Sequence, residues 1–116
     1  MKNYLAVFLG SAAAMDAWKA IPEADRKTKE QEGMQAWGKW AADHKDSIVY
    51  PGAPLGKTKI VNKSGLSDTR NEMGAFTVVK ADSQEETAKM FEGHPHFMIF
   101  PGDRVEVMEM LPVPSM

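Results

Sequence analysis

Cysteine is absent from the 116-residue sequence, which excludes disulfide bonds, thiol nucleophiles and sulfur-ligated metals. An excess of charge of either sign is also absent, because 14 Lys and Arg stand against 16 Asp and Glu, for a formal net charge of −2. Such a chain has no evident attraction to nucleic acid or to an anionic membrane. No apolar run approaches the roughly 18 residues of a membrane span. We therefore expect one globular domain over residues 1–116, with neither nucleic acid nor a membrane as partner.

Sequence motifs for several kinds of chemistry are missing as well. Residues 52–56, Gly-Ala-Pro-Leu-Gly, are followed by a segment of strand composition, whereas a phosphate-binding loop leads into a helix. There is no serine nucleophile elbow and no metalloprotease motif. His94 and His96 form only a two-residue metal signal, and a site would need a third ligand such as His44 or Glu109. We expect neither a cofactor nor a bound metal.

The N-terminal apolar run, residues 4–9, shows no polar alternation, which is typical of a central strand covered on both faces. A signal peptide is the alternative interpretation, because Met1 and Lys2 precede this run and alanines follow it. The run is only six residues long, shorter than the apolar core of such a signal, and its residues suit a strand. We therefore predict a buried strand and a cytoplasmic protein.

Helical patterns follow this strand. Ser11 is a candidate helix cap, and Pro22 interrupts the alanine-rich segment after it, so that a helix in two pieces is expected. In the second piece Trp37, Trp40 and His44 recur at three- and four-residue spacing. This face is expected to pack on a sheet.

The middle of the chain has the composition of extended segments. Prolines at positions 51 and 54 restrict residues 48–62 to an edge strand, because proline donates no hydrogen bond to a neighbouring strand. Residues 63–74 are polar and end in glycine, which predicts a long hairpin connection. Residues 76–81 predict an inner strand.

Local signals also mark the second helix and the last strand. Ser83 and Glu86 have the spacing of a capping box, and Gly93 is placed to end this helix in the left-handed conformation. Pro101 and Gly102 predict a type II turn that leads into the last strand.

The predicted order is strand, helix, strand, strand, helix, strand, which is the βαββαβ pattern of a ferredoxin-like α+β sandwich with an antiparallel sheet. Helices cover one face of such a sheet. The other face needs a cover as well, because the first strand shows no polar alternation. A second copy of the chain is the simplest cover. We therefore predict a homodimer.

Segments spread over nearly the whole chain carry a family likeness. They are the first strand, Trp37 with Trp40, residues 52–56 (GAPLG), residues 74–86 (GAFTVVKADSQEE), residues 94–97 (HPHF) and residues 105–107 (VEV). Together they resemble the YCII-related family. The resemblance implies a dimeric α+β barrel, in which two ferredoxin-like subunits press sheet to sheet and each keeps a cleft between its sheet and nearby loops.

The resemblance also implies a kind of chemistry. Relatives are thought to use a histidine near the start of the first helix and an aspartate near its end as an acid/base pair on small acidic metabolites. Here Gln35 and Trp37 stand in the histidine's region, whereas Asp43 and Asp46 are available for the aspartate. Some relatives carry Asp-Gly-Pro-Phe before the third strand, where this chain has Ser-Asp-Thr-Arg at residues 67–70. Only half of the pair is present.

His94 and His96 have two interpretations. In an extended segment, residues two apart point to one side, so the two imidazoles would share a substrate as acid/base groups. A histidine just beyond a helix end is also favoured by the helix dipole and can donate to the terminal carbonyl groups, a purely structural role. Both interpretations stay open at this point.

Two acidic residues complete the candidate set. In a regular last strand Glu109 shares a face with Val105 and Val107, where a charged group needs a partner, whereas a bulge near Met108 would turn it outward. Asp43 is the acid that the resemblance supplies. We predict catalytic residues His94, His96, Asp43 and Glu109 in a lyase, isomerase or hydrolase of a small metabolite. The alternative is a non-catalytic ligand-binding or accessory dimer.

Overall fold

The computed structural model describes residues 1–114 of the chain. Its strands are β1 (Lys2–Leu9), β2 (Ile48–Pro54), β3 (Thr58–Asn62), β4 (Gly65–Thr69), β5 (Met73–Ala81) and β6 (Arg104–Glu109), and its helices are α1 (Ala12–Lys19), α2 (Glu23–Asp43), α3 (Gln84–Met90) and α4 (Pro95–Met98). An antiparallel sheet has the order β2-β5-β1-β6, and β3 pairs with β4 separately. This arrangement confirms the predicted ferredoxin-like α+β fold.

β1 is a central strand of the sheet, as its apolar sequence predicts. Alternate side chains of β1, those of Tyr4, Ala6 and Phe8, are 2% exposed or less. They form the core together with Val79 of β5 and Phe91, which follows α3. Because the period of a strand is two, the residues between them project to the opposite face of the sheet.

The helix in two pieces is also confirmed. The Ser11 hydroxyl accepts a hydrogen bond of 3.1 Å from the N–H of Ala14 and so caps α1, and Pro22 immediately precedes α2. Trp37 and Trp40 pack against the core, and the Trp40 indole N–H donates to the Met90 carbonyl at 2.7 Å. That bond ties α2 to α3. Within residues 1–114, no helix has both the length and the apolar character that crossing a membrane requires.

The turn predictions near the second helix have different outcomes. The Ser83 hydroxyl accepts from the N–H of Glu86 at 3.1 Å, and Gly93 follows with a φ of 68°, both as predicted. The type II turn at Pro101-Gly102 is wrong, because such a turn requires a positive φ at Gly102 and that angle is not positive. Space rather than φ requires glycine there: a Cβ on Gly102 would lie 2.1 Å from the His96 ring.

The predicted loop over residues 63–74 is wrong in part, because β4 lies inside it and pairs with β3. The hairpin β3–β4 is exposed along both strands, with Val61 75% and Leu66 68% exposed. A strand exposed on both faces needs no alternation of apolar and polar residues, which is why its sequence reads as a loop. The projecting hairpin accounts for a radius of gyration of 16.2 Å, compared with about 13 Å for a compact domain of this length.

Candidate functional site

His94 has an extended backbone and His96 lies in the short helix α4, so the segment is not extended throughout as the shared-face interpretation assumes. His94 caps α4, and its Nδ1 accepts a hydrogen bond of 3.0 Å from the backbone N–H of His96. Pro95 occupies the first helical position, where a missing N–H costs nothing. The two imidazoles lie against the same ring, with centroids 5.1 and 5.2 Å from that of Phe8, although only His96 lines the cavity described below.

His94 lies in a cage of aromatic rings and is 0% exposed. Its ring centroid is 4.5 Å from that of Trp37, 4.7 Å from that of Trp40 and 5.1 Å from that of Phe8. Burial lowers the pKa of His94 from 6.5 to about 4, and the nearby His96 and His44 act in the same direction. The imidazole is therefore neutral at pH 7. Because Nδ1 accepts, the hydrogen is on Nε2, which has no partner within residues 1–114.

His94 thus has a structural role, which differs in one respect from the structural role that the sequence suggested. The imidazole begins α4 as an acceptor, whereas the sequence suggested a donor at the end of the preceding helix. Its position behind the rings of Phe8 and Trp37 keeps it out of the cavity lining described below.

His96 is held by the backbone of β1. Its Nε2 lies 2.8 Å from the carbonyl oxygen of Leu9. A carbonyl oxygen only accepts, so the neutral ring carries its hydrogen on Nε2, and the lone pair is on Nδ1. In the described part of the chain the bond to Leu9 is the one hydrogen bond of the ring with good geometry, and the backbone of Arg104 also lies near the ring. His96 therefore presents a basic nitrogen in a fixed tautomer.

The protonation of His96 follows from its surroundings. Burial lowers the pKa of His96, while the backbone of Leu9 and Arg104 and the carboxylate of Asp103 act in the opposite direction with smaller effects. Because the net direction is downward from 6.5, the free base predominates at neutral pH.

A cavity of about 770 Å³ lies beside His96, between the sheet and α2. Phe8 and Thr77 line it from the sheet, Trp37 and Trp40 line it from α2, and Phe100 lines it from the chain after α4. Cavities of roughly 300–1,000 Å³ with mainly apolar walls and a few polar groups are typical of small-molecule sites. His96 is the only histidine that lines it in the described part of the chain.

Glycine in the middle of α2 is part of this wall. A Cβ on Gly33 would lie 2.4 Å from Cε2 of Phe100, so that only glycine lets the Phe100 ring reach α2. Gly33 is therefore the sequence signal that could have indicated Phe100, because an unexplained glycine within a helix marks the close approach of another group. The cavity residues Lys57 and Arg70 had no comparable signal.

The two predicted acids do not meet the histidines. Asp43 lies at the end of α2 with a side chain 56% exposed and an ion pair of 3.0 Å to Lys39. Glu109 does share a strand face with Val105 and Val107, but its carboxylate pairs with Lys2 at 3.3 Å. Neither acid lines the cavity.

The sheet register separates Glu109 from His96 along the central strand. Glu109 is opposite Tyr4, whereas the His96 ring is hydrogen-bonded at Leu9. Leu9 is five positions after Tyr4 along β1, a distance of roughly 17 Å in a strand. Residues 1–114 also contain no group of three His, Asp or Glu side chains that could hold a metal ion.

Comparison with known proteins bears on the fold. No family model matches the chain, and no curated protein matches it. It is similar to a solved structure of the 5-chloro-2-hydroxyhydroquinone dehydrochlorinase TftG from Burkholderia phenoliruptrix AC1100, in complex with 2,5-dihydroxybenzoquinone. The two chains are 14% identical, with a TM-score of 0.56 over 94% of this chain and 93% of that chain. This likeness supports the fold, and the resemblance to the YCII-related family stays a prediction.

Proposed function

We propose that this protein is an enzyme of small-molecule metabolism in which His96 transfers a proton to or from a ligand bound in the cavity. The observation that carries the proposal is the fixed neutral imidazole, whose Nε2–H is held by the carbonyl of Leu9 at 2.8 Å. A general base needs its free lone pair at working pH, and a pKa below 6.5 supplies it. The reaction is that of a lyase, isomerase or hydrolase, in which such a proton transfer limits the rate.

The walls of the cavity favour a ligand with a flat apolar body. Phe8, Trp37, Trp40 and Phe100 present aromatic rings to it, and such rings stack on planar ligands. The similar structure, TftG, is named for a substrate with one aromatic ring and holds a quinone. A ligand of one or two rings fits a volume of about 770 Å³.

His94 has a positioning role in this proposal. Its Nδ1 fixes the first turn of α4 by accepting from the backbone N–H of His96. That turn places the His96 ring between Leu9 and Gly102. The predicted acid/base role thus belongs to His96, and Asp43 and Glu109 have no part in it.

A non-catalytic ligand-binding module is the second candidate, and one observation favours it. No carboxylate in residues 1–114 forms a hydrogen bond with the His96 ring, whereas acid/base histidines are commonly oriented by a carboxylate. Conversion of a bound compound would distinguish an enzyme from a non-catalytic binding module.

The test is solvent-deuterium incorporation followed by NMR. Small carbonyl compounds, phenols and quinols are incubated with the protein in D₂O, and binding is monitored through the indole N–H signals of Trp37 and Trp40. We expect at least one bound compound to exchange a C–H or to be converted faster than with free imidazole at the same concentration. Binding without exchange or conversion would support the binding module, and the absence of binding would contradict both candidates.

We also propose a homodimer formed through the sheet face that the helices leave open. The register places Val7 opposite Phe76 on this face, and Leu5 opposite both Val78 and Met108. These five residues are apolar. Val7 and Val78 are already buried in the single chain, whereas Met108 remains 42% exposed. Glu106 lies on the same face, opposite Val7. An open apolar sheet face of this kind is covered in most proteins by a second layer. A second copy supplies that layer symmetrically.

Charge on this face is expected to dissociate the dimer. Met108→Glu places a carboxylate in the proposed contact, and burying it without a partner is strongly unfavourable. Light scattering at micromolar concentration should give a dimer for the unaltered chain and a folded monomer for Met108→Glu. Met98→Glu, at a position 67% exposed on α4, is the matched control and should remain dimeric. A monomeric unaltered chain, or an undisturbed Met108→Glu dimer, would refute the proposed interface.

A further inference from the structure

Most polar groups of the cavity already have protein partners. The Thr77 hydroxyl donates to the Tyr50 carbonyl at 3.0 Å. The Asn71 amide donates to the Thr58 hydroxyl at 3.1 Å and accepts from the N–H of Met73 at 2.8 Å. These groups are occupied, so a ligand gains little by replacing those bonds.

The carboxylate of the cavity lining, that of Glu72, also has a protein partner. Glu72 pairs with the guanidinium of Arg104 at 3.0 Å, and Arg104 bonds Glu106 as well at 2.8 Å. Asp103 lies 4.0 Å from the same guanidinium, so Arg104 is shared by three carboxylates and holds Glu72 in an exposed ion-pair network.

Two cations of the cavity lining have no such partner. Lys57 and Arg70 line the cavity, and neither forms an ion pair or a side-chain hydrogen bond with any residue of 1–114. They lie on the two connections that join the hairpin β3–β4 to the sheet, one before β3 and one after β4. The cavity residues that keep a polar side-chain group free for a ligand therefore include these two cations, the indole N–H of Trp37 and His96, and Lys57 and Arg70 are the charged ones.

The hairpin register brings the backbones of the two cations to the same end of the hairpin. Thr58 pairs with Thr69 as the first pair of β3 and β4, and Lys57 and Arg70 are the next residues on the two chain segments, just beyond the paired strands. Like charges at one end of a hairpin repel each other. An anion between them removes the repulsion and gains two charge-assisted contacts, and a guanidinium can grip a carboxylate with two parallel hydrogen bonds.

We infer that the cavity takes a small organic anion, with its charged group at Lys57 and Arg70 and its apolar, ring-shaped body against the aromatic wall of Trp37, Trp40 and Phe100. The inference rests on the proposed function, because it names the class of ligand for the same cavity. The inference also gives the ligand an orientation in the cavity: its anionic group lies at the base of the hairpin β3–β4, and its ring body extends toward His96.

The experiment compares matched acids and neutral amides by calorimetry. Indole-3-acetate is paired with indole-3-acetamide, and 2-naphthoate with 2-naphthamide, so that each pair shares its ring body and differs in charge. We expect each acid to bind roughly tenfold or more tightly than its amide at low ionic strength, with the difference shrinking as salt is added.

Variants assign the difference to the two cations. In the double variant Lys57→Gln/Arg70→Gln, the acids should lose roughly tenfold in affinity, while the amides should bind as before. Lys63→Gln is the matched control, because this lysine lies at the tip of the same hairpin and does not line the cavity. All three positions are exposed, so thermal unfolding should be unchanged.

The possible results distinguish a failure of the anion inference from a failure of the proposed function. Acids and amides of equal affinity, or acids unaffected by the double variant, would overturn the inference while leaving the ligand cavity in place. If neither acids nor amides bind, the inference fails together with the proposed function.

Discussion

Replacing His96 by glutamine is expected to lower kcat roughly 10²–10⁴-fold, the usual contribution of a positioned general acid or base. Glutamine retains an N–H that can donate to the Leu9 carbonyl, as Nε2 of His96 does at 2.8 Å. It has no basic nitrogen to replace Nδ1. The variant therefore removes the chemistry and keeps the contact that holds the side chain in the cavity wall.

The kinetic pattern separates this role from a structural one. KM should change little in His96→Gln, because the aromatic walls that bind the ligand are intact, whereas kcat should fall. His44→Gln is the control: His44 bonds the Trp40 carbonyl at the end of α2 and lies outside the cavity, so its rate should be unchanged. A His96→Gln rate within roughly threefold of the unaltered protein would exclude His96 as the base.

Acid is expected to destabilise the fold through His94. Its pKa is about 4 in the folded protein and 6.5 ordinarily, so the unfolded chain binds the additional proton first as the pH falls. The contribution is fully present above pH 6.5 and is lost progressively down to about pH 4. At ~1.4 kcal/mol per pKa unit, the free energy of unfolding should fall by roughly 2–3 kcal/mol over this range. The lowered pKa of His96 adds in the same direction.

A substitution that keeps the helix cap isolates this effect. In His94→Asn the amide oxygen can still accept from the N–H of His96, but the side chain does not titrate. The variant should be less stable at pH 7 through lost packing, by roughly 1–3 kcal/mol, yet should lose less stability on acidification.

The comparison is made by urea unfolding at pH 7 and pH 4.5, since the carboxylates are the same in all the proteins compared. Phe91→Leu serves as the control, because it alters the same aromatic cage with another apolar side chain and leaves His94 in place. Phe91→Leu should therefore keep most of the dependence on pH. An identical dependence in His94→Asn and the unaltered chain would show that the buried imidazole does not control acid stability.

The fold was predictable where its signals are local. The uninterrupted apolar run of β1, the hydroxyl cap at Ser83 and the left-handed Gly93 each depend on residues close in sequence. The hairpin β3–β4 was not, because exposure on both faces removes the alternation by which a strand is detected. The reason for glycine at position 102 was not predictable either, because the His96 ring that leaves no room for a Cβ reaches this turn only in the folded chain.

The candidate site was likewise predictable only in part. His96 was a candidate because imidazole is the side chain that titrates near neutral pH. Its partner is the backbone carbonyl of Leu9, and a backbone group has no signature in the sequence. Glu109 was assigned to the correct face of β6, but strand periodicity says nothing about position along the sheet, where Lys2 rather than a histidine meets it. Lys57 and Arg70 become neighbours only through the pairing of Thr58 with Thr69.

The most direct test of the central claim is the protonation state of the His96 imidazole, read from its two ¹⁵N chemical shifts by long-range ¹H–¹⁵N NMR with His96→Gln for assignment. At pH 7 the structure predicts a neutral ring with its hydrogen on Nε2, a pKa below 6.5, and an Nδ1 shift that responds when a ligand enters the cavity. A ring that is charged at pH 7, that carries its hydrogen on Nδ1, or that does not respond to a bound ligand would contradict the assignment of His96 as the base.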